Sequence, residues 1–206
     1  MSLRSSLVSQ FGNPRGVPGR LAGFVMAHRP SNLARNRWTV DLLEIAAGDC
    51  VVDFGCGPGL AVAHAAQRAL RGRVVGIDHS ALMCSQARHR NRAAIAEGRV
   101  DILHGGVEQL AALAGKVDRL CALNVVMFLP DKAAAFAVFR DTLRPGGMLA
   151  VTHLPRQKGA SAADSEAAAA GIRAHMEAAG FAAITVARLP IGRLAAVCIR
   201  GHRPGA

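Results

Sequence analysis

The sequence lacks several features that would assign it to a common class of protein. Its 206 residues contain no run close to the roughly 20 consecutive apolar residues that a transmembrane helix needs. No C-x-x-C pair and no Cys/His cluster is present, which argues against structural zinc and any other metal site. The start, MSLRSSLVSQFGNPRG, has no apolar core before a cleavage-like site, so we predict no secretory signal. Its Arg-rich, acid-poor composition is also shared with transit peptides.

The cysteines are few, odd in number and scattered through apolar runs. They are Cys50, Cys56, Cys84, Cys121 and Cys198. This distribution predicts buried free thiols in a reducing compartment, and therefore a cytoplasmic protein.

Acidic residues and lysine are scarce. The chain has 14 acidic residues against 25 Lys and Arg, which gives a formal charge of +11. Such an excess favours a nucleic acid, a membrane surface or an anionic substrate as partner, although a solvated arginine surface has the same composition. The densest basic run is Arg88, His89, Arg90 and Arg92. It predicts either salt-dependent nucleic-acid contacts or a solvated helix face, and the second needs no function.

Short apolar runs alternate with helical patterns between residues 47 and 153, which predicts βαβ units. Within this stretch Ser80 is predicted to cap a helix that continues to about Ala96, and Pro145-Gly146-Gly147 is predicted to form a turn. Two further extended runs near the carboxyl terminus are joined through Leu189-Pro190-Ile191-Gly192, a joint typical of a hairpin. We therefore predict an α/β, Rossmann-like, doubly wound sheet of seven strands, mostly parallel with an antiparallel last strand. Residues 1–46 are predicted to form a helical cap or lid of the same domain, with helical segments at about residues 19–28 and 32–46. The body of the domain is residues 47–206.

The segment VVDFGCGPG, residues 51–59, carries the most information about function. Glycines at a strand-to-helix turn let the backbone approach a ligand at the helix N-terminus. Asp78 ends the next apolar run, 19 residues after Gly59, where a carboxylate can accept both hydroxyls of a ribose. Together these features predict a cofactor that contains adenosine.

The spacing and the local charge favour S-adenosylmethionine (SAM) over NAD. A dinucleotide site has the pattern G-x-G-x-x-G, whereas Leu60 stands here at the third glycine position. Asp53 lies two residues before the first glycine, where a carboxylate would repel a pyrophosphate but attract an ammonium group. No Gly-Lys-Ser/Thr follows, which excludes a P-loop.

These segments resemble the class I SAM-dependent methyltransferases, in particular the small bacterial type 11-like group. The similar segments are VVDFGCGPG, VVGIDHSALMCSQAR, VDRLCALNVVMFLPD, LRPGGMLAVTH and EAAGFAAITVARL. The resemblance covers about residues 49–200. It implies a methyltransferase (EC 2.1.1.-) whose cofactor is SAM and whose acceptor is not specified by the motifs.

The resemblance also implies a set of cofactor-binding residues. Gly55 and Gly57, with the neighbouring backbone of Cys56 and Gly59, would hold the methionine part. Asp53 and Asn124 would position the amino group, and Asp78 would bind the ribose. His79 or Met83 would pack near the adenine. Many members carry an acid where this chain has Gly106, so at the loop of Gly106 and Val107 the Val107 backbone is the remaining expected contact.

Acceptor-binding residues are predicted from position alone. His79, His104 and His153 follow strands at the ligand edge, and His153 is the candidate catalytic base and a substrate contact. Arg15, Arg35 and Arg37 in the cap are candidates for binding an anionic substrate, with a solvated helix face as the alternative. Trp38 is a candidate to line the substrate pocket or to pack between cap and core.

Three functions follow from these observations. The first is methyl transfer by in-line displacement to a small-molecule or lipid acceptor. The second is an RNA or other nucleic-acid methyltransferase, which suits the charge. Against it, the fourth strand ends in Asn124-Val125-Val126-Met127 and not in the Asn/Asp-Pro-Pro-aromatic pattern of many base-amino methyltransferases. The third is a protein of this fold that binds SAM without transferring its methyl group.

Overall fold

A computed structural model describes residues 29–205 of the chain. The strands are β1 (Cys50–Phe54), β2 (Arg73–Asp78), β3 (Val100–His104), β4 (Val117–Leu123), β5 (Leu143–His153), β6 (Ala182–Ile191) and β7 (Leu194–His202). The helices are α1 (Pro30–Leu42), α2 (Leu60–Ala66), α3 (Ala81–Arg90), α4 (Arg92–Ala96), α5 (Lys132–Thr142) and α6 (Ala162–Ala178). Two 3₁₀ segments cover Val107–Leu113 and Val126–Phe128.

The strands form one seven-stranded sheet in the order β3-β2-β1-β4-β5-β7-β6. The first five strands run parallel to one another, and β7 is antiparallel to both β5 and β6. The predicted fold class is therefore confirmed. Because the chain leaves β1 for β2 on one side and later returns to β4 on the other, the order reverses beside β1. That reversal opens a crevice at the carboxyl ends of these strands.

Alternating strand residues pack on opposite faces of the sheet. Val52 and Phe54 of β1 belong to the large apolar cluster that includes Phe136 and Phe139 of α5. Val51 of β1 faces the other way, into a cluster with α2 and α3. Both faces are covered by helices, which explains why the strands read as nearly continuous apolar runs.

Side-chain caps set where several helices begin. Ser80 Oγ accepts a hydrogen bond from the Met83 amide at 3.4 Å, as its position before α3 predicts. Asp131 Oδ1 accepts one from the Ala134 amide at 2.9 Å and starts α5. Before α6, Ser161 and Asp164 form a capping box.

Three sequence predictions differ from the structure in detail. The helix predicted from Ser80 to Ala96 is divided at Asn91, whose Nδ2 donates to the carbonyls of Ala87 at 2.9 Å and Gly59 at 3.2 Å. The turn predicted at residues 145–147 lies inside β5 as a bulge, where the pairing with β4 shifts register. The hairpin turn falls at residues 192–193, because Ile191 and Leu194 still pair.

The cap region is described only from residue 29 onward. Helix α1 packs on the sheet through Leu43, just after its end, and through the Oγ1 of Thr39, which lies 2.7 Å from that of Thr152. The predicted helical segment at residues 19–28 and the candidate Arg15 lie outside the described residues. Among helices within residues 29–205, none has the length and apolar character that crossing a bilayer requires.

Candidate cofactor and acceptor site

A cavity of about 700 Å³ opens at the carboxyl ends of β1, β2 and β4. This volume lies within the range of about 300–1,000 Å³ that is usual for small-molecule sites. Its lining includes ten of the eleven predicted cofactor residues: Asp53, Gly55, Cys56, Gly57, Asp78, His79, Met83, Gly106, Val107 and Asn124. Segments far apart in sequence therefore meet at the crevice that the strand order predicts.

The turn after β1 contains three glycines with positive φ, Gly55, Gly57 and Gly59, and the first two line the cavity. At Gly55 (φ +73°) a Cβ would lie 2.2 Å from Cγ2 of Val125, so no larger residue fits. The amides of Gly55 and Cys56 both donate to the Ile77 carbonyl, at 2.7 and 2.9 Å. At Gly57 (φ +51°) a Cβ would meet nothing within 4 Å. The turn is therefore fastened to β2 on one side and open on the other.

Gly59 has a different environment from the other two glycines. A Cβ there would come within 2.6 Å of Asn91 Nδ2 and 3.0 Å of Ala87. Gly59 does not belong to the cavity lining. Its observed contacts allow α2 and α3 to pack closely, so the structure gives no support to a direct cofactor contact at this position.

Asp78 joins the glycine turn to the end of β2. Its Oδ2 accepts a hydrogen bond from the Gly57 amide at 2.8 Å, and its Oδ1 accepts one from the Ser80 amide at 2.9 Å. The residue is buried but contacts the cavity. Each carboxylate oxygen has two lone pairs, so both can accept one more hydrogen bond. Beside it, the His104 ring lies 3.0 Å from the His79 carbonyl.

Asp53 is a buried carboxylate with an unused oxygen. It is 2% exposed, and Cys121 Sγ lies 3.6 Å from its Oδ1. Its Oδ2 has no hydrogen-bond partner among the described residues. Burial, aided by the negative charge of Asp78 and opposed by the Cys121 hydrogen bond, raises the pKa of Asp53 to about 7. A cationic ligand group beside it would supply the missing partner.

Asn124 connects the ends of β4 and β5. Its backbone N–H donates a hydrogen bond to the Thr152 carbonyl, and its side-chain Oδ1 accepts one from the Leu154 backbone N–H, both at 2.8 Å. Its φ of +55° is unusual for a residue other than glycine, although Asn tolerates it better than most. The residue therefore shapes the cavity wall through its side chain as well as its backbone.

We expect Asn124→Ala to lower the free energy of unfolding by about 2–3 kcal/mol, because it loses the Leu154 hydrogen bond and strains a left-handed residue. Asn124→Gly removes the same hydrogen bond but relieves the strain, so it should cost less. Urea unfolding of the two variants measures the difference. Equal losses would show that the backbone conformation contributes nothing.

The loop after β3 has a glycine, Gly106, at the position where many methyltransferases of this type carry an acid. Glu108, two residues later, supplies a carboxylate to the same loop. Its Oε1 accepts a hydrogen bond from the Gly106 amide at 2.6 Å. This and a hydrogen bond from its own amide lower the pKa of Glu108. This arrangement is not among the sequence predictions, although the acid two residues after Gly106 was the available signal.

The cap arginines have separate environments. Arg35 is 4% exposed and lines the cavity, whereas Arg37 is exposed to solvent. Arg35 Nη2 donates to Asn32 Oδ1 at 2.9 Å, and Arg156 Nη2 reaches the same oxygen. Arg156, which the sequence analysis did not single out, also lines the cavity.

The other two predicted acceptor residues do not line the cavity. Trp38 is half-buried against the apolar cluster of Leu43, Cys121 and Met148. This is the second of its two predicted roles, packing between cap and core. His153 ends β5, where it pairs with Val197. Burial, followed by the charges of Arg35 and Arg156, lowers its pKa. This shift favours the neutral imidazole, and the catalytic role of His153 stays a prediction.

Comparisons with known proteins agree with this architecture. Residues 51–147 match the family described as a methyltransferase domain. The chain is 28% identical over 184 residues to the uncharacterized methyltransferase YdaC of Bacillus subtilis (strain 168), covering 89% of this chain and 98% of that protein. It is 39% identical over 125 residues to a trans-aconitate 2-methyltransferase of Azoarcus sp. (strain BH72), covering 59% of this chain and 46% of that protein.

A solved structure shares the fold. The SAM-dependent methyltransferase from Aquifex aeolicus superposes with a TM-score of 0.66 at 19% identity, over 84% of this chain and 93% of that one. The chain thus spans nearly all of the Bacillus relative but less than half of the Azoarcus one. The matched family domain and the similar proteins support a class I SAM-dependent methyltransferase, and the solved structure shows the same fold.

Proposed function

We propose that this methyltransferase binds SAM in the cavity at the carboxyl ends of β1, β2 and β4 and transfers the methyl group to a small-molecule acceptor. The observation that carries the proposal is the pair of buried carboxylates beside the open glycine turn. Asp53 has an oxygen without a partner among the described residues, and Asp78 retains acceptor capacity on both oxygens. These groups fit a ligand that carries an ammonium group and a ribose.

Each residue then has a distinct proposed role. Asp53 accepts hydrogen bonds from the ammonium group, with the backbone of Asn124 nearby. Gly57, which leaves open space where a side chain would stand, allows the methionine part to approach the turn. Asp78 accepts the ribose hydroxyls while it holds the turn in place. When bound, SAM supplies a methyl group on a sulfonium, a leaving group that departs as a neutral thioether.

The protein contributes to transfer mainly by holding and orienting the two reactants. An in-line displacement gains most from alignment, and a base is needed only where the acceptor must lose a proton. The apolar wall formed by Val125, Leu129 and Leu154 lies around the same cavity. It would keep water from the transferring methyl group and accommodate the carbon skeleton of an acceptor.

A small acceptor is favoured over a nucleic acid by the environment of the basic run. Arg88 Nη2 donates to the Ile102 carbonyl at 2.7 Å, and Arg90 Nε donates to the Pro58 carbonyl at 3.0 Å. These guanidinium groups therefore bind strand β3 and the glycine turn of the protein itself. A salt titration of RNA binding tests this interpretation, since a specific complex that persists at physiological salt would contradict it.

Calorimetry with SAM, S-adenosylhomocysteine (SAH) and NAD tests the cofactor. We expect SAM and SAH to bind and NAD not to bind, and tight NAD binding without SAM binding would contradict the proposal. Transfer of labelled methyl from SAM into lipid, small-molecule and RNA pools of an extract then tests the acceptor. Label in the small-molecule pool is expected. SAM binding without transfer to any pool would favour a binding protein.

A further inference from the structure

Two arginines from distant parts of the chain meet at one neutral oxygen in the cavity. Arg35 in the middle of α1 donates to Asn32 Oδ1, and so does Arg156 from the segment after β5. Both arginines and Asn32 line the cavity. The single amide oxygen cannot neutralise two positive charges, so the pair carries excess positive charge into the site.

No acid balances this pair within the described part of the chain. The ion pairs found there include Arg68 with Asp41 and Arg188 with Glu166, but none involves Arg35 or Arg156. Nε and Nη1 of Arg35 are buried and have no hydrogen-bond partner among residues 29–205. A buried cation of this kind is unfavourable unless an anion joins it.

The electrostatic environment of Arg35 reflects this imbalance. Burial, followed by the positive charges of Arg156 and Arg29, lowers the pKa of Arg35 to about 9. The same arginines, together with burial, lower the pKa of His153, which favours its neutral form. Among the described residues, the charges that act on this pair are those of arginines, whereas the acids of the same cavity, Asp53, Asp78 and Glu108, do not act on its pKa values.

The other residues of the cavity indicate what kind of molecule would carry the anionic group. Arg156 is exposed to solvent over much of its surface, so the pair extends from a buried position toward the mouth of the cavity. Met127 and Phe128 also line the cavity and are 48% and 54% exposed. Exposed apolar side chains and two guanidinium groups in one cavity suit a molecule that enters from solvent with an anionic group and an apolar body.

We propose that Arg35 and Arg156 form a carboxylate-binding subsite and that the methyl acceptor is an organic acid with an apolar skeleton. The assignment to the acceptor rests on the proposed function. Guanidinium groups bind carboxylates through charge-assisted hydrogen bonds, and Nε and Nη1 of Arg35 are donors without a partner among the described residues. The other source of the same chemistry is the carboxylate of SAM, which the experiment distinguishes.

The experiment uses the full chain with SAH bound and follows arginine Nε–H signals by NMR. The probes are 4-phenylbutyrate, decanoate and adipate at millimolar concentration, each with its matched amide. We expect at least one acid to shift the signals of Arg35 and Arg156, and the amides to leave them unchanged. Failure of every acid to do so, or equal shifts with the amides, would overturn the proposal.

Variants separate the possible sources of carboxylate. Arg35→Gln should weaken acid binding by about tenfold or more, and Arg37→Gln, a solvent-exposed control on the same helix, by less than about twofold. Arg156→Gln provides a second test at a more exposed position. Loss of SAH affinity in Arg35→Gln, with unchanged affinity for 5′-methylthioadenosine, would assign the subsite to the cofactor and overturn the acceptor assignment.

Failure of the cofactor proposal has its own signature. If the wild-type chain does not bind SAH, the proposed function fails. Acid-dependent shifts of Arg35 in the free protein would then still establish the carboxylate subsite. Acid binding that is unaffected by both arginine substitutions would overturn the subsite whether or not SAH binds.

Discussion

Replacing Asp78 with alanine is expected to weaken SAH binding by at least about 100-fold, or roughly 3 kcal/mol. The substitution removes the proposed acceptor of the ribose hydroxyls. It also leaves the amides of Gly57 and Ser80 without the carboxylate to which they donate, so the glycine turn keeps only the hydrogen bonds to the Ile77 carbonyl of β2. Calorimetry measures the affinity, and thermal unfolding is expected to show a lower melting temperature.

The two effects of this substitution can be separated with a modified ligand. An SAH analogue that lacks the ribose 2′-hydroxyl should bind the wild-type protein more weakly than SAH. The Asp78→Ala variant should bind the two ligands alike, because the group that senses the hydroxyl is gone. An equal penalty in both proteins would contradict the ribose role and leave Asp78 a purely structural one. Asp101→Ala, at an exposed acid of β3 paired with Arg73, is the matched control.

Asp53→Asn is expected to stabilise the free protein at pH 8 and to change the pH dependence of its stability. The pKa of Asp53 rises from 3.8 to about 7 on folding. Between these values the folded protein binds more protons at this carboxyl than the unfolded chain does, so the free energy of unfolding falls as pH rises. An asparagine side chain does not titrate, so the variant lacks this pH-dependent contribution to the free energy of unfolding. Its stability relative to wild type should increase by about 2–4 kcal/mol between pH 5 and 8.

Urea unfolding of both proteins at several pH values measures this difference. The variant must be compared with wild type at each pH, because burial lowers the pKa of His64 and His153 in both proteins. These histidines make the free energy of unfolding rise with pH, opposite to the effect of Asp53. If the free energy of unfolding of the two proteins changed with pH in parallel, burial would not destabilise the ionised Asp53 carboxylate. The same variant should bind SAM more weakly, since the amide offers no negative charge to an ammonium group. Stabilisation with loss of binding is the combination expected of a functional carboxylate.

Much of the cofactor part of the site could be predicted from sequence because it depends on local patterns. The glycine turn follows a strand and precedes a helix, and Asp78 ends the next strand. Parallel strands bring their carboxyl ends to one edge, so these residues had to lie near one another once the βα alternation was recognised. Gly59 is the exception. Its glycine requirement comes from α3, where Ala87 and Asn91 approach it, and no local pattern separates that cause from ligand contact.

The acceptor part depends on contacts between distant segments. Arg35 and Arg37 are equivalent in the sequence, and both lie on α1. Residues two positions apart in a helix point in directions roughly 200° apart. On a helix that packs against the sheet with one face, only one of the two can therefore be buried. Which of them faces the cavity depends on how α1 packs against the sheet, through Thr39 and Thr152 among others. Arg156 meets Asn32 across 124 residues of sequence, a contact that no spacing indicates.

The sequence by itself determined the βα order, several helix caps, the glycine turn and the two acids beside it, because each depends on neighbouring residues and on the fixed geometry of parallel strands. Only the tertiary structure decided which charges lack partners. The formal charge of +11 describes the whole chain, but the consequence of each charge depends on burial and on the nearest counter-ion. Those are properties of packing, and they single out Arg35 and Asp53 from the many charged residues of this protein.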